Sequence, residues 1–233
     1  MTRKIKYTRK DLKSPDEFIS TLGRATLWAK ENRTKVITMI AAVLLALSGG
    51  FGTRAYFQWQ ENKAARDIWP HLSRAREYLQ TPQAADSENL ESLGRVLDEH
   101  VKMHPDTRAA VYAMYYLGSI AYLRGDYDQS VMHFRSGIAS GKAQGTIMDF
   151  LLHEGLAQSL EAKGDTENAQ KAYGEAAAVA SGELRTQAWM GQARTLALQG
   201  RTEEAAALFR KILAENPDTP LKDLIELKLL RMG

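Results

Sequence analysis

Residues Val111 to Ile138, VYAMYYLGSIAYLRGDYDQSVMHFRSGI, read as two amphipathic helices placed back to back with a Gly-Asp turn between them. Leu117-Gly118 lets two helices approach closely, Gly125-Asp126 makes the turn and Tyr127 plugs the hairpin, while Ser130, Phe134 and Gly137 form the packing stripe of the second helix. The turn glycine recurs at Gly164 and Gly200, at intervals of 39 and 36 residues. An ordinary helical bundle predicts no phased period, whereas hairpins that bury their apolar faces against the next copy do.

Numbered from Val111, the hairpin resembles the tetratricopeptide repeat: Leu-Gly at places 7 and 8, Gly at 15, Tyr at 17, a small residue at 20, an aromatic at 24 and a small residue at 27. From Phe150, Leu156, Ala157, Gly164, Ala169, Tyr173 and Ala176 take places 7, 8, 15, 20, 24 and 27. From Thr186, Trp189, Ala193, Gly200, Ala205, Phe209 and Pro217 take places 4, 8, 15, 20, 24 and 32. The extra residues beyond the 34-residue period fit turns at Ser140 to Thr146 and Ser181 to Glu183, where Gly and Ser cluster. Upstream, Ala64, Ile68, Leu72, Ala75 and Leu79 keep a helical stripe with a kink expected at Pro70, and Thr81 to Ser87 reads as a loop. Leu90, Leu93, Leu97 and Val101 mark a further helix stopping at His104-Pro105, so these two helices look like a degenerate first repeat. After Asn216-Pro217 a helix over Leu221 to Met232 would cap the stack.

Val36 to Thr53 is an 18-residue run without a charge. At about 1.5 Å per residue it covers roughly 27 Å, close to the thickness of a hydrocarbon core. Arg54 can snorkel outward, with Tyr56, Phe57 and Trp59 at the interface. A cleaved signal peptide with a site near Ala46-Leu47-Ser48 is the competitor, but the 35 residues ahead of the run are long for an n-region. An uncleaved transmembrane helix over Val36 to Phe57 is therefore expected, between a basic tail, 1–35, and a repeat domain, 58–233. The tail holds ten Lys/Arg against four Asp/Glu, although four Lys/Arg stand in each immediate flank, 16–35 and 58–77. With long C-terminal domains translocating largely regardless of charge, the N-terminus is placed in the cytoplasm and the repeat domain outside it. Within the tail, Ser14-Pro15-Asp16-Glu17 signals a helix start, followed by Phe18, Leu22, Ala25 and Ala29 at helical spacing. That helix either lies on an anionic membrane surface or is a solvated linker.

The net charge of +3 at pH 7 is local to the tail, which carries +6, leaving −3 for the rest. Without stacking aromatics among the basic residues, nucleic acid is not an expected partner. No cysteine is present, which excludes disulfides, thiolate catalysis and a lipidated N-terminal Cys. Chemistry is sparse: Gly137 to Ala143 resembles a phosphate loop but is one residue short and lacks the magnesium-binding Ser/Thr. His100 and His104 share a helix face without a third ligand and read as a solvated pair, and His153 reads as core. No nucleophile elbow occurs, and the Asp and Glu residues follow exposed helix faces, so neither an enzyme, a metal nor a cofactor is expected.

The expected fold class is all-α, a tetratricopeptide-repeat superhelix of about four repeats plus a C-terminal capping helix, preceded by one transmembrane helix. In that family, helix A residues at places 2, 5, 9 and 12 face a concave groove. The resemblance therefore implies a groove of Tyr112, Tyr115, Ser119 and Tyr122, then Leu151, Glu154, Gln158 and Glu161, then Gln187, Met190 and Arg194. The Lys and Asn set with which some relatives clamp a terminal carboxylate is missing. Tyrosines offer contact area at modest entropy cost, which favours extended protein or peptide segments with apolar side chains, although burial of some of them against the next repeat is the plain alternative. The layout of basic tail, early anchor and repeat domain resembles the YfgM-like family, which includes ancillary subunits of the SecYEG translocon that touch periplasmic chaperones. That resemblance implies a scaffold in the bacterial inner membrane for secreted or envelope proteins; an anchored assembly factor for a secretion, pilus or cytochrome system is the alternative.

Overall fold

The computed structural model describes residues 17–81 and 87–232, all of whose regular elements are helices. The helix start expected at Ser14-Pro15 lies outside them. The chain divides after Gln58 into two compact units. In the first, α1 (Glu17–Glu31) is followed, after Asn32 alone, by α2 (Arg33–Gln80), which continues into the second unit. Ile37, Ile40, Leu44, Leu47 and Phe51 of α2 are all more than half exposed. Among the described residues α2 is the one helix long and apolar enough to cross a membrane, with a mean hydropathy of 2.0 over its best 18-residue window.

The apolar run and the first helix of the repeat domain, which the sequence suggests as separate pieces, are one uninterrupted helix with Pro70 inside it. Proline removes one backbone donor from a helix. Here buried Ala64 and Ile68 on one side of Pro70, and Leu72 and Ala75 on the other, keep a single stripe against the same core. Packing holds the helix through the proline.

In the second unit the rest of α2 and α3 (Ser87–Met103) form the first hairpin, with Ser87 opening α3 rather than closing a loop. It is followed by α4 (Arg108–Leu123) with α5 (Tyr127–Ala139), α6 (Ile147–Ala162) with α7 (Thr166–Val179), α8 (Gly182–Leu198) with α9 (Thr202–Glu215), and α10 (Lys222–Leu230). Each helix from α3 onward packs on the next, and α4, α6 and α8 also touch in series. At the hairpin turns Gly125, Gly164 and Gly200 take φ of +76°, +87° and +77°, and the following N–H bonds back to Ala121 O, Leu160 O and Leu196 O. A side chain at such a φ is strained, which explains the recurrence of glycine there. Asp126 and Asp165 then cap α5 and α7 through Gln129 N and Asn168 N, both at 3.3 Å. The end of α10 is covered on one side only: Ile225 is buried with Phe209 and Ile212.

The spacing between hairpins is set by aromatic rings seated on glycines. A Cβ on Gly118 would stand 2.9 Å from Phe134 Cζ, one on Gly155 only 2.4 Å from the same atom, and one on Gly191 2.4 Å from Tyr173 Cε1. Each ring of a second helix thus lies against the first helix of the next hairpin. Buried hydroxyls follow the same seam: Ser130 Oγ lies 2.8 Å from Gly118 O and 2.7 Å from Ser159 Oγ, which lies 2.6 Å from Gly155 O, so the two hydroxyl protons serve two of these three contacts at a time. Replacing Gly155 by Ala should destabilise the domain by about 1–3 kcal/mol, the cost of overpacking a filled core. Gly94 in α3 has open space around it, and its replacement by Ala should instead stabilise by roughly 0.5–1 kcal/mol. Thermal unfolding of both variants checks the contrast; equal midpoints would show that the rings do not set the spacing.

Candidate functional site

Equivalent positions on successive first helices lie side by side, so the face they share is a row of pairs. Between α6 and α8 those pairs are polar. Gln187 Nε2 donates to Glu154 Oε1. Arg194 holds Glu161 through Nε to Oε1 and NH2 to Oε2, both at 2.6 Å, and Tyr173 OH donates to Oε2 at 2.8 Å. Between α4 and α6 the corresponding positions are Tyr115 with Leu151 and Tyr122 with Gln158, for which no hydrogen bond bridges the helices.

At that unpaired junction a cavity of about 210 Å³ opens, lined by Tyr115, Ser119 and Tyr122 of α4 and Leu151, Glu154 and Gln158 of α6. Leu79, Leu123, Phe134 and Gly155 complete it. Tyr115 is half-buried, stands edge-on to Tyr116 at 5.2 Å and lies 6.1 Å from Phe134, while Tyr122 leans on Tyr127 at 5.6 Å. Of the eleven residues implied as a groove, six line this cavity: Tyr115, Ser119, Tyr122, Leu151, Glu154 and Gln158. Tyr112 is exposed but outside it. Arg194 is committed to Glu161, stacked 5.8 Å over Tyr173, and also stands apart from it. Leu151 lines the cavity, Gln187 is held by Glu154, and Met190 packs into the core of the last hairpins.

Glu154 and Glu161 of α6 differ in kind. Burial pushes Glu154 above the usual carboxylate range, opposed only by the hydrogen bond from Gln187. Burial also acts to raise Glu161, but the bonds from Arg194 and Tyr173 outweigh it and hold Glu161 below its ordinary value. Desolvation followed by the Glu161 hydrogen bond raises the Tyr173 phenol, and the Glu161 bond raises the Arg194 guanidinium.

The histidines depart from the sequence reading. His100 is 3% exposed rather than solvated, with its ring 4.9 Å from that of His104 and its Nε2 without a partner. Burial, then the charge of His104, lowers its pKa. Asp67 and His71 of α2 also act on its charge, and sequence spacing does not bring them near it. His153 is mostly buried, 3.7 Å from Asp149 Oδ1 and approaching Glu175 Oε2 at 3.2 Å without hydrogen-bond geometry. Asp149 and Glu154 are exceptions to the expectation that acids follow exposed faces. The phosphate-loop-like stretch is the end of α5 and a turn with Gly141 at φ +66°. Among the described residues no group of three or more His, Asp or Glu could hold a metal ion.

Sequence reasoning missed Gly155 and Gly191, which sit one place ahead of the Leu-Gly pair, and the partnerships Glu154 with Gln187 and Glu161 with Arg194. A signal existed for the latter: both pairs are separated by 33 residues, as are Thr166 with Gln199 and Glu183 with Asn216. It missed the Glu61 carboxylate, which accepts Arg108 N at 3.0 Å and helps to cap α4 beside Thr107.

Sequence profiles described as tetratricopeptide repeat match residues 112–136 and 155–220. The chain carries tetratricopeptide repeats. Its solved neighbours include two crystal structures of the kinesin light chain nearly identical TPR-like repeats of Podosopora anserina. The first is 15% identical, with a TM-score of 0.59 over 72% of this chain and 86% of that one; the second, a point variant, is 16% identical, with a TM-score of 0.59 over 72% and 85%. No curated protein matches by sequence. The likeness establishes the tetratricopeptide superhelix as the fold, and the repeats mark the chain as a protein-interaction scaffold, a fold that is typically non-catalytic.

The Glu161–Arg194 pair predicts an acid dependence. Because the folded-state pKa of Glu161 is depressed, its stabilisation is present above the unfolded value and disappears as pH falls through the folded one. Arg194→Ala should cost about 1 kcal/mol at neutral pH, discounted because the Arg194 side chain is 49% exposed. Melting temperatures of the wild type and variant should converge as the pH is taken below the carboxylate range; a gap that is constant with pH would assign the loss to packing.

Proposed function

We propose that this protein is a membrane-anchored scaffold of the bacterial envelope whose repeat domain receives extended segments of partner proteins on its concave face. The cavity at the α4–α6 junction carries the reading. It lies where the row of polar pairs lapses, it is walled by Tyr115, Tyr122 and Leu151, and it is continuous with the groove positions of a fold that binds peptides. At about 210 Å³ it is smaller than the roughly 300–1,000 Å³ typical of small-molecule sites, and suits one or two side chains of a longer ligand.

The anchor rests on α2. Its hydroxyls in and beside the apolar run bond within the helix: Thr38 to Lys35 O (2.9 Å), Ser48 to Leu45 O (3.1 Å) and Thr53 to Gly49 O (2.9 Å). Hydrocarbon demands such internal satisfaction of polar groups. Tyr56, Phe57 and Trp59 form the interfacial belt, with Lys63 over the Trp59 ring at 5.6 Å. In this reading residues 36–57 span the inner membrane, the basic tail 1–35 is cytoplasmic and contacts anionic lipid, and residues 58–233 face the periplasm. The layout, which resembles that of YfgM-like proteins, supports partners among secreted or envelope proteins, or their chaperones, near the translocation machinery.

Two experiments test this. A reporter active only outside the cytoplasm, fused after Gly233, should be active, with a cytoplasmic reporter silent at the same position; the opposite pattern reverses the orientation. Crosslinking in membranes, followed by identification of the captured proteins, should give envelope or secreted partners. Replacing Tyr115 and Tyr122 by Ala should weaken that capture by about 1–3 kcal/mol each. Undiminished capture by a folded double variant would remove the groove from the mechanism.

A further inference from the structure

Glu154 is 8% exposed, lies at the wall of a cavity otherwise lined by aromatic, aliphatic and neutral polar side chains, and forms no ion pair among the described residues. Its Oε1 takes the amide of Gln187, and among the described residues Oε2 takes no hydrogen bond. The carboxylate two turns further along α6, Glu161, is compensated in full by Arg194 and Tyr173. Two acids of one helix thus sit in the same groove, one neutralised within the chain and one left with a neutral amide.

A buried charge without a counter-ion is costly, and a ligand that brings one recovers that cost on binding. The cavity shape favours a particular form of cation. Tyr115, Tyr122, Phe134 and Leu151 offer apolar and aromatic walls against which a long aliphatic stem can lie, with ring faces that attract a positive head group. Lysine and arginine have that construction: an apolar stem ending in a donor-only charged group. A carboxylate ligand would meet Glu154 as a like charge, and a wholly apolar one would leave it uncompensated.

We propose that the α4–α6 cavity selects partner segments in which a lysine or arginine stands among apolar residues, the basic head group binding Glu154 and the stem lying on Tyr115 and Tyr122. This rests on the concave face being the peptide groove, and it adds the chemical class of segment that the groove takes. Glu154, which sequence position alone makes one groove residue among many, becomes the specificity-determining one. Gln187 holds Glu154 in place from α8, and Tyr112 and Arg194 stand outside the cavity.

The test uses the full chain in a nonionic detergent and a set of acetylated, amidated peptides of sequence Ala-Leu-Leu-X-Leu-Leu-Ala, with X lysine, arginine, glutamine, norleucine or glutamate, titrated by calorimetry. The lysine and arginine peptides are expected to bind about tenfold or more tightly than the norleucine and glutamine ones, with glutamate weakest. In Glu154→Gln the advantage of the basic peptides should fall to within about twofold, while the norleucine peptide binds at least as well as before, which also certifies the fold. Basic and norleucine peptides binding alike to the wild type would overturn the charge selection and leave the groove reading intact. The glutamine peptide matching the basic ones would overturn it too, assigning the site to neutral donors. A basic preference that survives in Glu154→Gln would likewise overturn the role of Glu154. Should the variant fail to fold, the wild-type ranking decides alone. If no peptide binds and Tyr115→Ala with Tyr122→Ala leaves capture in membranes unchanged, both the selection and the groove reading fall.

Discussion

The repeat domain depends on one steric relation, the rings of Phe134 in α5 and Tyr173 in α7 each lying against a glycine of the following hairpin. Phe134 on Gly155 and Tyr173 on Gly191 leave no room for a single added carbon, so the distance between hairpins is set by backbone meeting ring rather than by side chain meeting side chain. Close packing of this kind has few alternative arrangements, because a gap of even a fraction of an ångström forfeits much of the dispersion energy. The seam of hydroxyls from Gly118 through Ser130 and Ser159 to Gly155 then satisfies the polar groups that so close an approach would otherwise strand.

From that spacing follows the pairing of side chains along the first helices. Once α6 and α8 are held at a fixed distance, residues 33 apart become neighbours, and the identity of each pair decides whether the junction is closed or open. Glu154 with Gln187 and Glu161 with Arg194 close one junction; Tyr115, Leu151, Tyr122 and Gln158 leave the previous one open. The location of the cavity along the stack is thus a matter of two pairs of side chains on a common scaffold.

Much of this was legible in the chain. The glycine of each turn, the stripe of each second helix and the long uncharged run all express local rules, of helix period, of positive φ and of length in hydrocarbon, and local rules can be read from local residues. What was not legible depends on juxtaposition across repeats. Gly155 and Gly191 look like weak points in a helix until a ring is known to lie on them. Glu154 looks like one more surface acid, and His100 like half of a solvated pair, until α8 and α2 respectively are brought against them. Pro70 stands inside a continuous helix, with Ile68 and Leu72 on either side of it packed into one core. The turns of unequal length, at 140–146 and 180–181, obscure the regular 33-residue offset that would have revealed the cross-repeat pairs.

Phe134 and Gly155 belong at once to the interlock between hairpins and to the wall of the cavity. Occupancy of the cavity and cohesion of the stack are therefore linked functions in the thermodynamic sense: a ligand that fits only the closed seam stabilises it by RT ln(1 + [L]/Kd), and whatever loosens the seam weakens the ligand by the same free energy. A segment seated there acts as a reversible rivet between the second and third hairpins, so that the loaded domain is the stiffer one, and release of the segment coincides with the domain regaining its freedom to open.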